Sequence, residues 1–280
     1  MTIKIVTDST SDLPREYLEK YDISLIPLYI NFKDRGYIDG VEISRKEFYE
    51  MLPDSEIPPT TATPSIEAVL DLYQKLADQG ADQIISLHIS EALSATVDVA
   101  RKAAERAPIP VVVLDSGQLS MGLGFQVLYA ARAAQKGESL ESIVSELKNR
   151  EKHLYVFAAL DTLDYLRRSG RMSRIVAGIG SILHVKPILK MNLGKPASEL
   201  VRTQTKAIQK LIDTVKHLGP IEEFALVHTN APQAAQELWE KVKSFIPDQN
   251  FPISVNVTPV LGTHLGPGAV GFAFKGKSNR

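Results

Sequence analysis

Between Ile3 and Gln135 short apolar runs alternate with stretches of helical periodicity. Repeated strand–helix alternation of this kind implies a parallel sheet with helices on its faces. Ile3 to Thr7, Gln83 to Ser90 and Val111 to Leu114 read as strands. Pro14 to Tyr21, Ser44 to Leu52, Pro64 to Asp78, Ser94 to Ala107 and Leu119 to Gln135 read as helices, with Ser44 and Thr63 as expected N-caps. Ile23 to Phe32 is β-rich, and Pro27 suggests an edge position. In such sheets ligands sit beyond the carboxyl ends of the strands, where Asp8, Ser94 and Asp115 fall.

After Arg150 the pattern changes. Strands are expected at Leu154 to Leu160, Lys186 to Met191, Leu200 to Thr205, Phe224 to Thr229 and Ile253 to Val260. Asn192 to Pro196 looks like a hairpin turn, and helices are expected at Lys206 to His217 and Ala231 to Phe245. The expected fold class is therefore α/β, with two domains. Residues 1–150 form an N-terminal domain with a parallel sheet flanked by helices, and residues 151–280 a C-terminal mixed α+β domain.

Composition narrows the function classes. A net charge of −1 in 280 residues argues against a nucleic-acid-binding surface. The absence of cysteine removes disulfides, thiol catalysis and cysteine metal sites, and suits a cytoplasmic protein. The first eight residues reach polar and acidic positions too soon for a secretory signal, and no apolar run approaches the ~20 residues of a membrane span. If a chain of this kind handles lipid, it does so as a soluble carrier without stable membrane insertion.

Six segments rich in hydroxyls or glycine punctuate the chain: residues 7–12, 60–65, 90–96, 115–120, 169–173 and 262–268. Hydroxyls and backbone N–H groups at helix starts hold anions, but they do not activate a nucleophile by themselves. None of the segments holds a recognisable catalytic base. Asp8-Ser9-Thr10 lacks the second carboxylate of an Asp-x-Asp phosphatase loop, so Asp8 is read as a loop organiser. Gly266 to Gly271 matches G-x-G-x-x-G, but nine residues follow it, too few for a dinucleotide-binding unit, and it reads as a tight loop. The six histidines show no metal-ligand spacing. His264 stands apart because glycines flank it, so its side chain can reach a ligand. The run Tyr165 to Arg171, with Arg167, Arg168 and Arg171, is either a solvated helix end or a docking patch for a partner or phosphoryl group. Thr61 and Ser94 are the strongest pair. Each is a hydroxyl near a helix start, and Thr63 already fills the cap position before Pro64.

In this order, the segments resemble the DegV family of bacterial fatty-acid-binding proteins, which includes the lipid-binding subunit of fatty-acid kinase. The resemblance is carried by residues 7–14, Thr61-x-x-Pro64-Ser65, Leu93-Ser94-x-Thr96, Asp115-Ser116 with Gly122-x-Gly124, and Tyr165-Leu166-x-Arg168-x-Gly170-Arg171-x-Ser173. Further on come Lys186 to Leu189, Arg202 with Lys206-Ala207, and Gly262-x-His264-x-Gly266-Pro267-Gly268. The family usually has Thr-Ser-Gln-Pro-Ser where this chain has Thr61-Ala62-Thr63-Pro64-Ser65, and Ser-Gly-Thr where it has Ser94-Ala95-Thr96.

The resemblance implies an EDD-type fold with a ligand tunnel between the two domains. It implies a bound fatty acid of roughly C14 to C18, whose methylenes supply affinity at ~0.8 kcal/mol each. Its carboxylate would meet Thr61 and Ser94, with His264 beside them. The implied protein is a non-catalytic carrier without metal or cofactor, serving an ATP-dependent fatty-acid kinase. Arg202 and Arg168 would face that kinase or its phosphate, and His264 is also implied to serve it. Small residues such as Ala158, Ala159, Ala177, Gly178 and Gly180 would leave room for the tail. The alternative is a metal-dependent phosphoesterase or esterase-like hydrolase built on Asp8, Asp115 and the loop hydroxyls. A lipid sensor for an unknown partner is a third reading.

Overall fold

The computed structural model describes every residue except Asp34 and residues 173–184, 218–219, 248–251 and 278–280. Ser173, Ala177, Gly178 and Gly180 of the sequence reading lie outside the described residues.

Strands β1 (Ile3–Asp8), β2 (Ile23–Ile26), β6 (Gln83–His88) and β7 (Val111–Asp115) form an all-parallel sheet in the order β2-β1-β6-β7. Helices α1 (Arg15–Lys20), α3 (Ile66–Asp78), α4 (Thr96–Ala104) and α5 (Met121–Gln135) lie on its flanks. Side chains alternate faces along a strand. Val6 and Ile84 thus join Val69, Tyr73 and Ala100 of α3 and α4, while Ile5, Ile85 and Leu87 join Leu123, Val127 and Leu128 of α5. Both faces are apolar because both are covered.

A second, mixed sheet has the order β10-β9-β8-β13-β11-β12. Its strands are β8 (Leu154–Ala159), β9 (Lys186–Asn192), β10 (Lys195–Val201), β11 (Ile221–His228), β12 (Ile253–Asn256) and β13 (Val270–Gly276). Helix α5 is apolar nearly all round, as a helix buried on every side must be. It is sandwiched between the two sheets, sharing one core with Val156, Met191, Val227 and Ala273 of the second. Helix α6 (Leu140–Glu151) packs beside it. Helices α8 (Gln204–His217) and α9 (Pro232–Val242) cover the far face of the second sheet over an aromatic cluster of Phe157, Phe224, Phe272 and Phe274.

A small antiparallel sheet, β4-β3-β5, comprises β3 (Tyr29–Phe32), β4 (Arg35–Ile38) and β5 (Thr60–Ala62). It packs with α2 (Arg45–Met51) and α10 (Pro259–Leu265), and α7 (Asp164–Arg168) lies against α10. The fold is thus α/β with a helix-flanked parallel sheet and a mixed sheet, as the sequence implied.

Local corrections follow from pairing. The β-rich run Ile23 to Phe32 breaks at Pro27, and its halves belong to different sheets, β2 at an edge and β3 at a centre. Ser65, not Thr63, caps α3, accepting from the Ala68 N–H at 3.1 Å. The expected strand Leu200 to Thr205 is β10, which begins at Lys195 and ends at Val201, before α8 starts at Gln204. Ser44 caps α2 in a reciprocal box with Glu47, as its position suggested. The turn of the β9–β10 hairpin is Leu193-Gly194, with φ of 51° and 67°, the two positive angles of a tight hairpin.

Candidate functional site

Where the three sheets converge the chain leaves a cavity of about 450 Å³, within the usual range for small-molecule sites. Alternation on β8 explains one wall. Val156 and Ala158 face inward with Leu189 and Met191 of β9, while Tyr155 and Phe157 turn to the opposite face of the sheet. Val260, Leu261 and Leu265 of α10 form a second wall, and Leu28, Ile89, Leu93 and Leu119 close the side toward the parallel sheet. Polar residues interrupt this lining: Thr10, Thr61, Thr63, Ser94, Ser120, Arg171, Lys190, His228, Thr229 and His264.

Thr61 lies on β5, opposite the fully buried Ile30. Since Ser65 caps α3, the Thr61 hydroxyl is released from that task. Its Oγ1 lies 3.1 Å from His264 Nε2. His264 sits on α10, not in a loop as the flanking glycines suggested, and Gly266 (φ 71°) ends that helix. Burial, and secondarily the charge of Arg171, lower the His264 pKa to about 3, so the ring is neutral at ordinary pH. Its Nδ1 is buried and has no hydrogen-bond partner among the described residues. A neutral imidazole carries one N–H. If that hydrogen is on Nε2, it points at Thr61 and leaves the threonine O–H to donate elsewhere. If it is on Nδ1, the ring itself offers a donor. Either tautomer keeps one donor for a ligand.

Ser94 is in the loop after β6. Its Oγ lies 2.8 Å from Thr96 Oγ1 and accepts from the Thr96 N–H at 3.3 Å, although α4 begins at Thr96 with Ala95 in the cap position. The hydroxyl thus turns the chain into α4 and can still donate. Ser94 and Thr61 line the same cavity.

Arg171 follows Gly170 (φ 71°), donates to the Ser169 carbonyl at 2.7 Å, and lines the cavity. It is the arginine of the 167–171 run that reaches the wall; Arg168 is exposed on α7. Arg202 is exposed between β10 and α8, also off the wall. Ala158 lines the cavity and Ala159 does not. Thr10 and Ser120 fall in hydroxyl-rich segments that the sequence singles out, but nothing in their local spacing marks them as wall residues, because the wall is gathered from distant loops.

Asp8 does organise its loop. It accepts from the Thr10 N–H at 3.0 Å and the Ile89 N–H at 3.0 Å, and lies 3.0 Å from His88 Nδ1. His88 Nε2 continues at 2.8 Å to Ser86 Oγ, which accepts from Tyr73 OH at 2.9 Å. This Asp–His–Ser run has the composition of a hydrolytic triad. All its members are fully buried and none lines the cavity, so no acyl group can approach Ser86. It ties the ends of β1 and β6 together. Asp115 accepts from the Gly117 N–H at 2.8 Å and is likewise off the wall. Among the described residues, no three His, Asp or Glu side chains gather to hold a metal ion, and no helix is long and apolar enough to cross a membrane.

The DegV family model, described as "Uncharacterised protein, DegV family", matches residues 2–277. A DegV domain-containing protein of Streptomyces coelicolor is 38% identical over 272 residues, covering 96% of each chain. Among solved structures, DegV of Bacillus subtilis, described as a fatty acid binding protein, is 34% identical with a TM-score of 0.89, covering 99% of this chain and 100% of that one. A DegV family protein of Thermus thermophilus, described by its fatty acid binding, is 30% identical with a TM-score of 0.90 and the same coverage.

Proposed function

Because this chain belongs to the DegV family, we propose that it binds a long-chain fatty acid in the cavity, with the carboxylate at Thr61, Ser94 and His264. The observation that carries this reading is an apolar cavity whose Thr61–His264 pair keeps a hydrogen-bond donor in either tautomer. A 16-carbon tail has about 14 methylenes at ~0.8 kcal/mol each, roughly 11 kcal/mol before the costs of immobilisation. Charge-assisted hydrogen bonds to the head add about 1.5 to 3 kcal/mol each. The tail sets affinity; the hydroxyls select and orient the head.

In this reading the protein is a non-catalytic carrier. Residues 1–150 supply Thr61 and Ser94, and residues 151–280 cover the acyl chain, with His264 reaching back to the head. The carrier presents the acid to a separate ATP-dependent kinase for acyl-phosphate formation, and the exposed Arg202 and Arg168 face that kinase. Denaturing extraction followed by mass spectrometry tests the reading. A fatty acid of C14 to C18 chain length is expected, by the ~0.8 kcal/mol per methylene scale. An empty protein that also fails to take up fatty acid overturns it.

A further inference from the structure

Of the hydroxyl residues that line the cavity, Thr61, Ser94, Thr10 and Ser120 divide into two kinds by the side chains they pair with. Thr61 pairs with a histidine and Ser94 with another hydroxyl, and both partners can give or take a proton. Thr10 and Ser120 pair with carboxylates. Thr10 Oγ1 donates to Asp8 Oδ1, and Ser120 Oγ donates to Asp12 Oδ2. A hydroxyl has one donor and two lone pairs, so a hydroxyl committed to an ionised carboxylate keeps only acceptor capacity.

We propose that Thr10 and Ser120 form a second polar patch in the cavity, an acceptor patch that receives a hydroxyl group carried partway along a fatty acyl chain. The proposal rests on the fatty-acid reading of the same cavity. Its place is set by α10. Asp12, which holds Ser120, also accepts from the N–H of Thr258 at 2.7 Å, at the start of α10. His264 lies six residues on, roughly 9 Å along the axis at ~1.5 Å per residue, and Val260 and Leu261 line the wall between. Thr10 belongs to the same corner, two residues before Asp12.

The patch is built rather than incidental. Thr10 and Ser120 are 0% and 2% exposed, and Ser120 is held at φ 50°, ψ −143°, a conformation kept by non-glycine residues only where the surroundings fix it. A methylene against these lone pairs leaves them desolvated and unpaired, whereas a hydroxyl satisfies them. A carboxylate is repelled there, which directs the acid head to the Thr61 end.

The test is a titration, above pH 7 so that Asp12 is ionised, with octadecanoic acid and its monohydroxy isomers along the chain. One isomer, or two adjacent ones, should bind within about threefold of the parent or tighter, and isomers hydroxylated nearer either end about tenfold more weakly. Ser120→Ala and Thr10→Val should each shrink that contrast at least about fivefold. Uniform weakening of all isomers in the unsubstituted protein overturns the patch alone, and this arm needs no variant to fold. Failure of octadecanoic acid itself to bind overturns the fatty-acid reading as well.

Discussion

Thr61 Oγ1 and His264 Nε2 meet at 3.1 Å across a sequence separation of 203 residues, joining the small antiparallel sheet to α10. The contact puts a neutral imidazole, rather than a cation, beside the hydroxyl. Head-group recognition on this plan is by hydrogen bonding to neutral groups, with Arg171 and Lys190 as the basic residues of the wall.

Thr61→Ala combined with Ser94→Ala removes the two hydroxyls to which the proposed function assigns the carboxylate. Fatty-acid affinity should fall by about 10- to 1,000-fold in calorimetric titration. Circular dichroism should be unchanged, since Ser65, not Thr61, caps α3, and Ala95 holds the cap position of α4.

Arg202→Ala should leave lipid binding intact, because Arg202 is exposed and off the cavity wall. It should lower the rate of acyl-phosphate formation when a cognate kinase and ATP are supplied. A variant that loses its lipid instead would overturn this division of roles.

Asp12 is fully buried. Desolvation raises its pKa to about 6, against the opposing pull of Arg45 and its hydrogen bonds to Ser120 and Thr258. Asp39, which accepts from the Thr258 hydroxyl, is raised by burial as well. A raised carboxylate binds more protons folded than unfolded, so its contribution to stability is full below the unfolded pKa near 4 and is lost as pH rises to about 6. Asp12 therefore disfavours the folded state at neutral pH by something on the order of 3 kcal/mol. Urea unfolding of Asp12→Asn and the parent between pH 4 and 7 should show the variant gaining stability relative to the parent as pH rises. A constant difference would refute the assignment.

Gly271→Ala should cost more than about 3 kcal/mol. A Cβ at Gly271 would meet the Phe157 carbonyl oxygen at 1.9 Å and Ala158 Cα at 2.6 Å, forcing β13 away from β8 beneath the cavity. Gly137→Ala, at φ 77° with open space around it, bears only the backbone strain of about 1–2 kcal/mol. Denaturant midpoints should separate the two.

The parallel sheet was legible because covered strands are apolar throughout and their loops are not. Asp8 and the Leu193-Gly194 turn were legible because their chemistry is local. Helix α10 was not. Its glycines read as loop punctuation, yet Gly262 serves close packing: a Cβ there would meet Tyr49 OH at 2.5 Å and Phe48 Cε1 at 2.9 Å. The need for that glycine is written on α2, more than 200 positions away. Thr61 and Ser94 could be singled out as hydroxyls near helix starts, but the arrival of His264 beside Thr61 depends on α10 and so on the whole fold.

A cavity of about 450 Å³ bordered by three sheets also has a mechanical meaning. Unfolding abolishes internal voids, so hydrostatic compression favours the unfolded chain in proportion to them. An occupant that fills the space should therefore make the protein harder to unfold by pressure than the same protein without one.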